Sequence, residues 1–545
     1  MLRFLGRFSP LLIVLVLVLG AGAFYILKER FFYFEKPSKW PLAGRGYVVR
    51  PVEAIPSLSI PPLPDVSGYT PEAVVAKIPA LSSGAVRVSS MTHGMGFGKF
   101  TESANLPDFI RLQGRPDPLG IHISSGAYDL ESLRQVVNDP AILAREGDVW
   151  TLSLPIDIGA GASLTIAGTP EKPAVLRLSG TTGAFIANSG LLVIADAQVF
   201  AWDASAGVPM VYDGDPDRFR PFLALWSGSR SYMARSGFYH LGYHGSKAYG
   251  ISFSTDKAMM KADPSLPAPR GWIVACHFEG LYYGFYSYEA EDVAIVGNVY
   301  KENIIYGIDP HDRSRRLIIA ENEAYGTKKK HGIIVSREVD DSWIFNNYSH
   351  NNHGSGFMLD RTSVRNVVAY NRAYRNEADG MTLFESQDNV VYGNKLIANG
   401  KNGLRVRNSW NVVAFDNTIM LNGGNGVQVY TQNLEEHEKD RDFELDPFTQ
   451  RASLDFSGGT VALNSAGGIK TSGTEYLKFS GIEFLVFKPT FLRGDLNDSA
   501  REIVRGMVAN PNGVEIRMTS DWTPPAPDLT DSPEPSESDS EDSEP

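Results

Sequence analysis

The chain has 545 residues, 43% of them hydrophobic and 21% charged, with a formal net charge of −12. That length admits a large core, in one elongated domain or in several compact ones. A single cysteine, Cys276, excludes an internal disulfide framework and any multi-cysteine metal site; a small buried apolar role suits it best.

The N-terminus reads MLRFLGRFSPLLIVLVLVLGAGAFYILKER, with Arg3 and Arg7 ahead of an apolar run from Pro10 to Leu27 that Lys28 and Arg30 close. Residues 1–30 are therefore expected to direct export, either as a cleaved signal peptide or as a signal anchor. The run is long for a signal-peptide core and just long enough to span a bilayer. Residues 31–70 are rich in proline and read as an extended linker. A mixed segment is expected over 71–149, with one amphipathic helix at DLESLRQVVND.

From 150 to 520 the texture changes to short β-branched runs broken by Gly, Asn and Asp, and helical periodicity fades. Glycines open similar strands at Gly284, Gly307, Gly332, Gly356, Gly380, Gly403 and Gly426, spaced by 23 to 25 residues. A second register runs through Asn298, Asn322, Asn347, Asn371, Asn394 and Asn417, each nine or ten residues before a glycine. Gly250 precedes Gly284 by 34 residues, as expected for one turn carrying an inserted loop at KAMMKADPSLPAPR. Repeats of this length with short strands signal a solenoid, and the all-β form that fits is a right-handed parallel β-helix. The asparagines would stack as a ladder at one corner, and the glycines would serve turns of positive φ. A β-propeller is the alternative, but its blades need about twice this period. After the repeats, residues 521–545 hold nine acidic residues and no basic one, which leaves the rest of the chain near −3. That Pro/Ser/acid-rich tail cannot repay its ordering entropy and is expected to be disordered.

Strand alternation assigns the faces. Positions one and three after each glycine are mostly apolar, as at Ile308 and Pro310 or Phe357 and Leu359, and should line the interior. Positions two and four then face outward: Tyr286 and Tyr288, Asp309 and His311, Ile334 and Ser336, Met358 and Asp360, Thr382 and Phe384, Arg405 and Arg407. At position five stand Glu289, Asp312, Arg337, Arg361, Glu385 and Asn408. Aromatics, acids and arginines in one column suit a groove for a charged sugar polymer. With rungs about 4.8 Å apart, six of them span roughly 29 Å, room for several sugar units. Seven Lys/Arg side chains between Arg313 and Arg337 put a basic patch beside the cluster. Nucleic acid would also favour such a patch, but the acids in the same column and the export signal argue against it.

The motif YGIDPHDRS packs Asp309, His311 and Asp312 around a proline. On a polyuronate, the hydrogen at C5 lies α to a carboxylate and is very weakly acidic. Removing it takes a base within reach, a cation on the carboxylate and a donor on the opposite ring face. His311 is the natural base, Asp309 or Asp312 would orient its ring, and Arg337 would pair with the carboxylate. Tyr306 or a water would return the proton. Arg313, Lys330, Asp360, Arg361, Arg405 and Arg407 are the candidate substrate contacts. Reprotonation from the other face gives epimerisation, and expulsion of the O4-linked sugar gives a lyase product; spacing alone does not choose between them. A polysaccharide-binding scaffold without catalysis is a third reading. A glycosidase ranks last, because Asp309 and Asp312 belong to one rung rather than to opposite walls of a groove.

YGIDPHDRS, KKHGIIVSREV and SGFMLDRTSVRNVVAYNRAYRNEADGMTLFES closely resemble the periplasmic mannuronan C5-epimerases of bacterial alginate secretion, as do PPLPDVSGYT, SKAYGIS and NGLRVRNS. The likeness runs from about Pro61 to the region of Leu463 and weakens towards Ser520. It implies a right-handed β-helix that converts β-D-mannuronate to α-L-guluronate within the polymer, with His311 as base and Arg337 neutralising the carboxylate. It also implies no calcium requirement, a periplasmic location, and work alongside the proteins of a secretion complex; no metal and no other cofactor is expected. Two features depart from the family pattern: an N-terminus suited to inner-membrane anchoring through residues 10–27, and the acidic tail.

Overall fold

The structure, a computed structural model, describes residues 46–53, 60–439, 441–485 and 491–519. The expected export segment and the acidic tail lie outside the described residues. Among the described residues no helix is long and apolar enough to cross a membrane.

Each turn of the coil contributes three short strands. One turn holds Tyr306–His311, Ile318–Ala320 and Glu323–Tyr325. Each of these runs parallel to its counterpart a turn later: Ile333–Ser336, Trp343–Phe345 and Tyr348–His350. Repetition of this unit builds the right-handed parallel β-helix that the 23–25-residue period predicts. The inward positions form one continuous core, in which Ile308, Ile333, Val335, Phe357, Leu359, Met381, Leu383, Leu404 and Val406 are all buried. Strands of alternating polarity sort their own faces here, because each odd side chain meets only its equivalents above and below.

Two asparagine ladders hold the corners in register. Asn298, Asn322, Asn347, Asn371, Asn394 and Asn417 form the expected one. From Asn298 to Asn394 each Nδ2 donates to the next Oδ1, at 2.9 to 3.1 Å, and to a backbone carbonyl of the preceding turn. A second ladder, Asn352, Asn376, Asn399, Asn422 and Asn464, repeats the pattern at another corner. Buried amides that satisfy one another this way cost little to desolvate and fix the turn geometry.

The strand-opening glycines do not serve positive φ. Gly284, Gly307, Gly332, Gly356, Gly380, Gly403 and Gly426 are absent from the left-handed region. They are needed for close approach: a Cβ on Gly284 would lie 2.3 Å from the Gly307 carbonyl oxygen, and one on Gly307 would lie 2.4 Å from that of Gly332. The left-handed turns fall instead on the fifth position. Glu289, Asp312, Arg337, Arg361, Glu385 and Asn408 have φ of 53°, 38°, 58°, 49°, 48° and 46°. Single left-handed residues cost a non-glycine about 1 kcal/mol or more, and rung-to-rung bonds such as Asp312 N–H to Ser336 O (3.1 Å) hold them there.

The coil extends beyond the expected boundaries. Leu119–Asp129 already pairs in parallel with Ile156–Ala167, so the first turn lies inside the stretch read as mixed. The expected helix is Leu130–Val137, capped by Asp129 through a reciprocal bond with Ser132, and its Leu133 joins the core. The proline-rich stretch is partly structured rather than a free linker. Tyr47–Pro51 pairs antiparallel with Val514–Met518, which pairs antiparallel with Tyr476–Ser480. Leu63 and Val66 pack on an outer face beside Phe345, Val367 and Tyr392. An added antiparallel strand satisfies backbone that a solenoid otherwise leaves open at its end.

Candidate active site

The strand Tyr306–His311 sits between Tyr283–Tyr288 on one side and Ile333–Ser336 on the other. Register places Tyr286 beside Asp309 and Tyr288 beside His311. Outward-facing here does not mean exposed: Asp309 is 1% accessible, His311 9% and Tyr286 5%. Walls rise on both sides of the column. One carries Tyr249, stacked on Tyr283 and edge-on to Tyr286, together with Lys247. The other is an inserted segment after Asn425–Tyr430, which supplies Glu438, Arg441 and Asp446.

His311 Nδ1 lies 2.5 Å from Asp312 Oδ2. A carboxylate only accepts, so Nδ1 carries the shared proton. Burial by itself would raise the Asp312 carboxyl. The charged form of His311, then Arg337 and Lys247, outweigh it and hold that carboxyl well below the usual range. The left-handed turn at Asp312 lets two consecutive side chains meet, which an extended strand would send to opposite faces.

Arg337 takes the equivalent corner one rung on and reaches Asp446 at 3.0 Å. Arg361, a further rung along, lies 3.5 Å from Asp360 and 3.7 Å from Asp446. Arg407 binds Glu385 through two bonds of 2.9 and 3.1 Å and approaches Glu438 at 3.2 Å. Arg441 closes this buried network onto Glu385 at 3.0 Å. Burial raises the Asp360 carboxyl; Arg361 opposes that and Glu385 adds to it.

A family profile described as a right-handed β-helix region matches residues 283–435. The mannuronan C5-epimerase of Pseudomonas putida is 40% identical over 470 residues, covering 86% of this chain and 89% of that one. The chain belongs to the mannuronan C5-epimerase family. The mannuronan C5-epimerase AlgG of Azotobacter vinelandii is 41% identical over 471 residues, or 85% of this chain and 88% of its own. The crystal structure of a periplasmic alginate epimerase, AlgG, superimposes with a TM-score of 0.74 at 40% identity, covering 78% of this chain and 99% of that one.

In this member of the epimerase family the structure brings His311, Asp312 and Arg337 together, with Asp309 buried on the same strand beside Tyr286. Tyr306 opens the same strand, edge-on to Tyr283 at 5.2 Å and stacked on His331 at 6.0 Å, with the Lys330 ammonium over its ring at 5.5 Å. Arg313 is half-exposed at the rim, bonded to Tyr288 Oη at 3.0 Å and to Glu289 at 2.8 Å. Arg405 lies 3.4 Å from Asp379, with the Phe384 ring 5.2 Å from its guanidinium. The basic patch is weaker than its composition: Arg315 and Arg316 pair with Glu291 and Asp292 on the preceding turn, and Lys328 with Glu302. Those are struts between rungs. Sequence reasoning missed Lys247 and Asp446, which no repeat position carries. Only the stretched spacing of 42 residues between Asn422 and Asn464 marks the second insertion.

Proposed function

We propose that this chain is a polymer-level mannuronan C5-epimerase, converting β-D-mannuronate to α-L-guluronate in an anionic polysaccharide. One observation carries the mechanism: the His311–Asp312 pair stands one rung from Arg337 in a walled groove. His311 Nε2 takes the C5 proton, Asp312 stabilises the imidazolium that forms, and Arg337 neutralises the charge that builds on the substrate carboxylate. Asp309, buried beside Tyr286, orients the sugar-facing side of the strand. Arg313, Lys330 and Arg405, at the rim and along the column, engage neighbouring uronates. Arg361, Arg407 and Asp360 act through the inserted segment. Similarity to a periplasmic alginate epimerase supports a periplasmic setting; the apolar run, not the family, supports export directed by residues 1–30 and inner-membrane retention through residues 10–27, and contact with proteins of a secretion complex belongs to the same proposal.

The test incubates the full-length protein with polymannuronate in D₂O, with His311→Ala alongside. Guluronate bearing deuterium at C5, without new ultraviolet absorbance and lost in the variant, is the expected result. Rising absorbance from unsaturated uronate would make the enzyme a lyase, and neither signal would leave a binding scaffold.

A further inference from the structure

The outward column that carries His311 is closed in one direction and open in the other. On the rung before Tyr286 and Tyr288 the outward positions are Ser252 and Ser254, and before them stands Ala224. All three are 0% accessible, whereas Tyr286 retains 5% and Tyr288 8%. Other parts of the chain cover the column there. Ala224 packs into a buried cluster with Phe97, Phe100, Tyr243 and Met259, and Trp226 Nε1 pins that cover by donating to the Gly96 carbonyl at 2.9 Å. Lys247, in the loop before the strand Gly250–Ser254, sets its Nζ 3.7 Å from the centre of the Tyr288 ring.

Past Asp309 the register reads Ile334, Met358, Thr382, Arg405, Gln428, Lys470 and Arg493, seven rungs without a carboxylate in the column. At about 4.8 Å per rung that is roughly 34 Å, room for several sugar units. The last four side chains are partly exposed. Lys470 and Arg493 follow the inserted segment, which breaks the spacing that would have announced them. Arg493 has no carboxylate partner among the described residues. Its Nη1 donates to Asn425 Oδ1 at 3.3 Å and to the Ala466 carbonyl at 3.1 Å, both neutral acceptors. Asn425 is buried and fixed in turn, its N–H and Nδ2 donating to Asn402 Oδ1 at 2.9 and 3.2 Å. Asn402 donates through the same two groups to the buried Asp379 at 2.7 and 3.0 Å. A guanidinium held by amides keeps its charge, and its rigid fork of donors suits a carboxylate supplied from outside.

We infer that the polymer is bound on one side only of the catalytic rung, running from His311 towards Arg493, and that Arg493 pairs with the carboxylate of a uronate several units from the reacting sugar. The assignment rests on the epimerase reading above. The sugar that changes configuration then sits at one end of the bound stretch. Beyond it the chain turns out into solvent, because the cover over Ser252 and Ser254 leaves no path along the coil. Affinity is gathered on the distal rungs and the chemistry is done at the closed end.

The test uses full-length protein and end-labelled oligomannuronates in D₂O, with C5 deuterium located along each product by tandem mass spectrometry. In an octamer the first deuterium is expected in the terminal third of the chain, always at the same end. Deuterium spread evenly, or centred in the octamer, overturns the one-sided groove, and this readout needs no variant. So does an octamer left unreacted beside a reacting polymer. The octamer should also exceed a tetramer, too short to reach Arg493, by about tenfold or more in kcat/KM. Arg493→Gln should remove most of that advantage and Arg493→Lys should keep part of it. An advantage in Arg493→Gln within about twofold of wild type overturns the role of that arginine. No deuterium in oligomers or polymer overturns the epimerase reading alone, and binding then decides. Calorimetry must still show the octamer held more weakly by Arg493→Gln, and equal affinity overturns the groove as well.

Discussion

The Arg337 guanidinium meets the Asp446 carboxylate at 3.0 Å, although one belongs to a corner of the coil and the other to the inserted segment. Asp446 is buried, and the same carboxylate approaches Arg361 at 3.7 Å. A guanidinium has five donors in a rigid fork, so one edge can be held by the protein while another faces substrate.

Asp446 is therefore expected to aim Arg337 rather than to compete with the polymer. Asp446→Asn should lower kcat/KM about tenfold, equivalent to roughly 1.4 kcal/mol of transition-state stabilisation, with the loss mostly in kcat. Steady-state rates of guluronate formation by NMR check this. A variant with lower KM and unchanged kcat would mean that Asp446 occupies the substrate's carboxylate seat.

The ladders make a graded prediction. Asn371 donates to Asn394 and to the Ile344 carbonyl and accepts from Asn347, all within the core. Asn417 accepts from Asn394 and donates to Val391 O, at the end of its row. Truncating a buried amide strands its partners at about 1–3 kcal/mol each. Asn371→Ala should thus cost more than Asn417→Ala, by roughly 1–3 kcal/mol. Urea midpoints of the two variants decide it, and equal losses would mean the ladder is a consequence of the fold and no support to it.

These two cases show where the sequence was legible. The inward set that includes Ile308, Phe357 and Met381 could be read because a two-residue alternation recurs in every turn. The first asparagine ladder was visible for the same reason. The glycine column was found at the right positions for the wrong cause, since φ and backbone approach leave the same residue in a sequence. His311 and Asp312 announced themselves as chemistry that a repeat does not need. Lys247 and Asp446 did not, because each reaches the site from a loop with no repeated pattern. Their partners are set by where loops land in space.

Glycine in this column can be tested by contrast. A Cβ on Gly307 would sit 2.4 Å from Gly332 O, backbone that cannot yield without shifting the catalytic strand. Gly297 has a φ of 69° and open space around it. Gly307→Ala should cost more than about 2 kcal/mol and most of the activity, whereas Gly297→Ala should cost about 1 kcal/mol and leave activity intact. Thermal melts paired with the NMR assay distinguish them. A harmless Gly307→Ala would show that the rungs have room to move apart.

The pH dependence follows from Asp312. Against the cost of burial, His311, Arg337 and Lys247 hold its carboxyl below the usual 3.8. A group whose folded value is depressed contributes stability that is fully present above its unfolded value and lost as pH falls through the folded one. Wild type should therefore exceed Asp312→Asn in stability at about pH 5, and the margin should shrink as pH falls below about pH 4. At neutral pH the variant should also lose activity by roughly a hundredfold or more, because the imidazolium formed on abstraction has lost its counter-charge. Urea midpoints across that range test the first part. A margin that persists undiminished into strong acid would mean that Asp312 stabilises the corner by shape and not by charge, and would remove it from the proton-transfer pair.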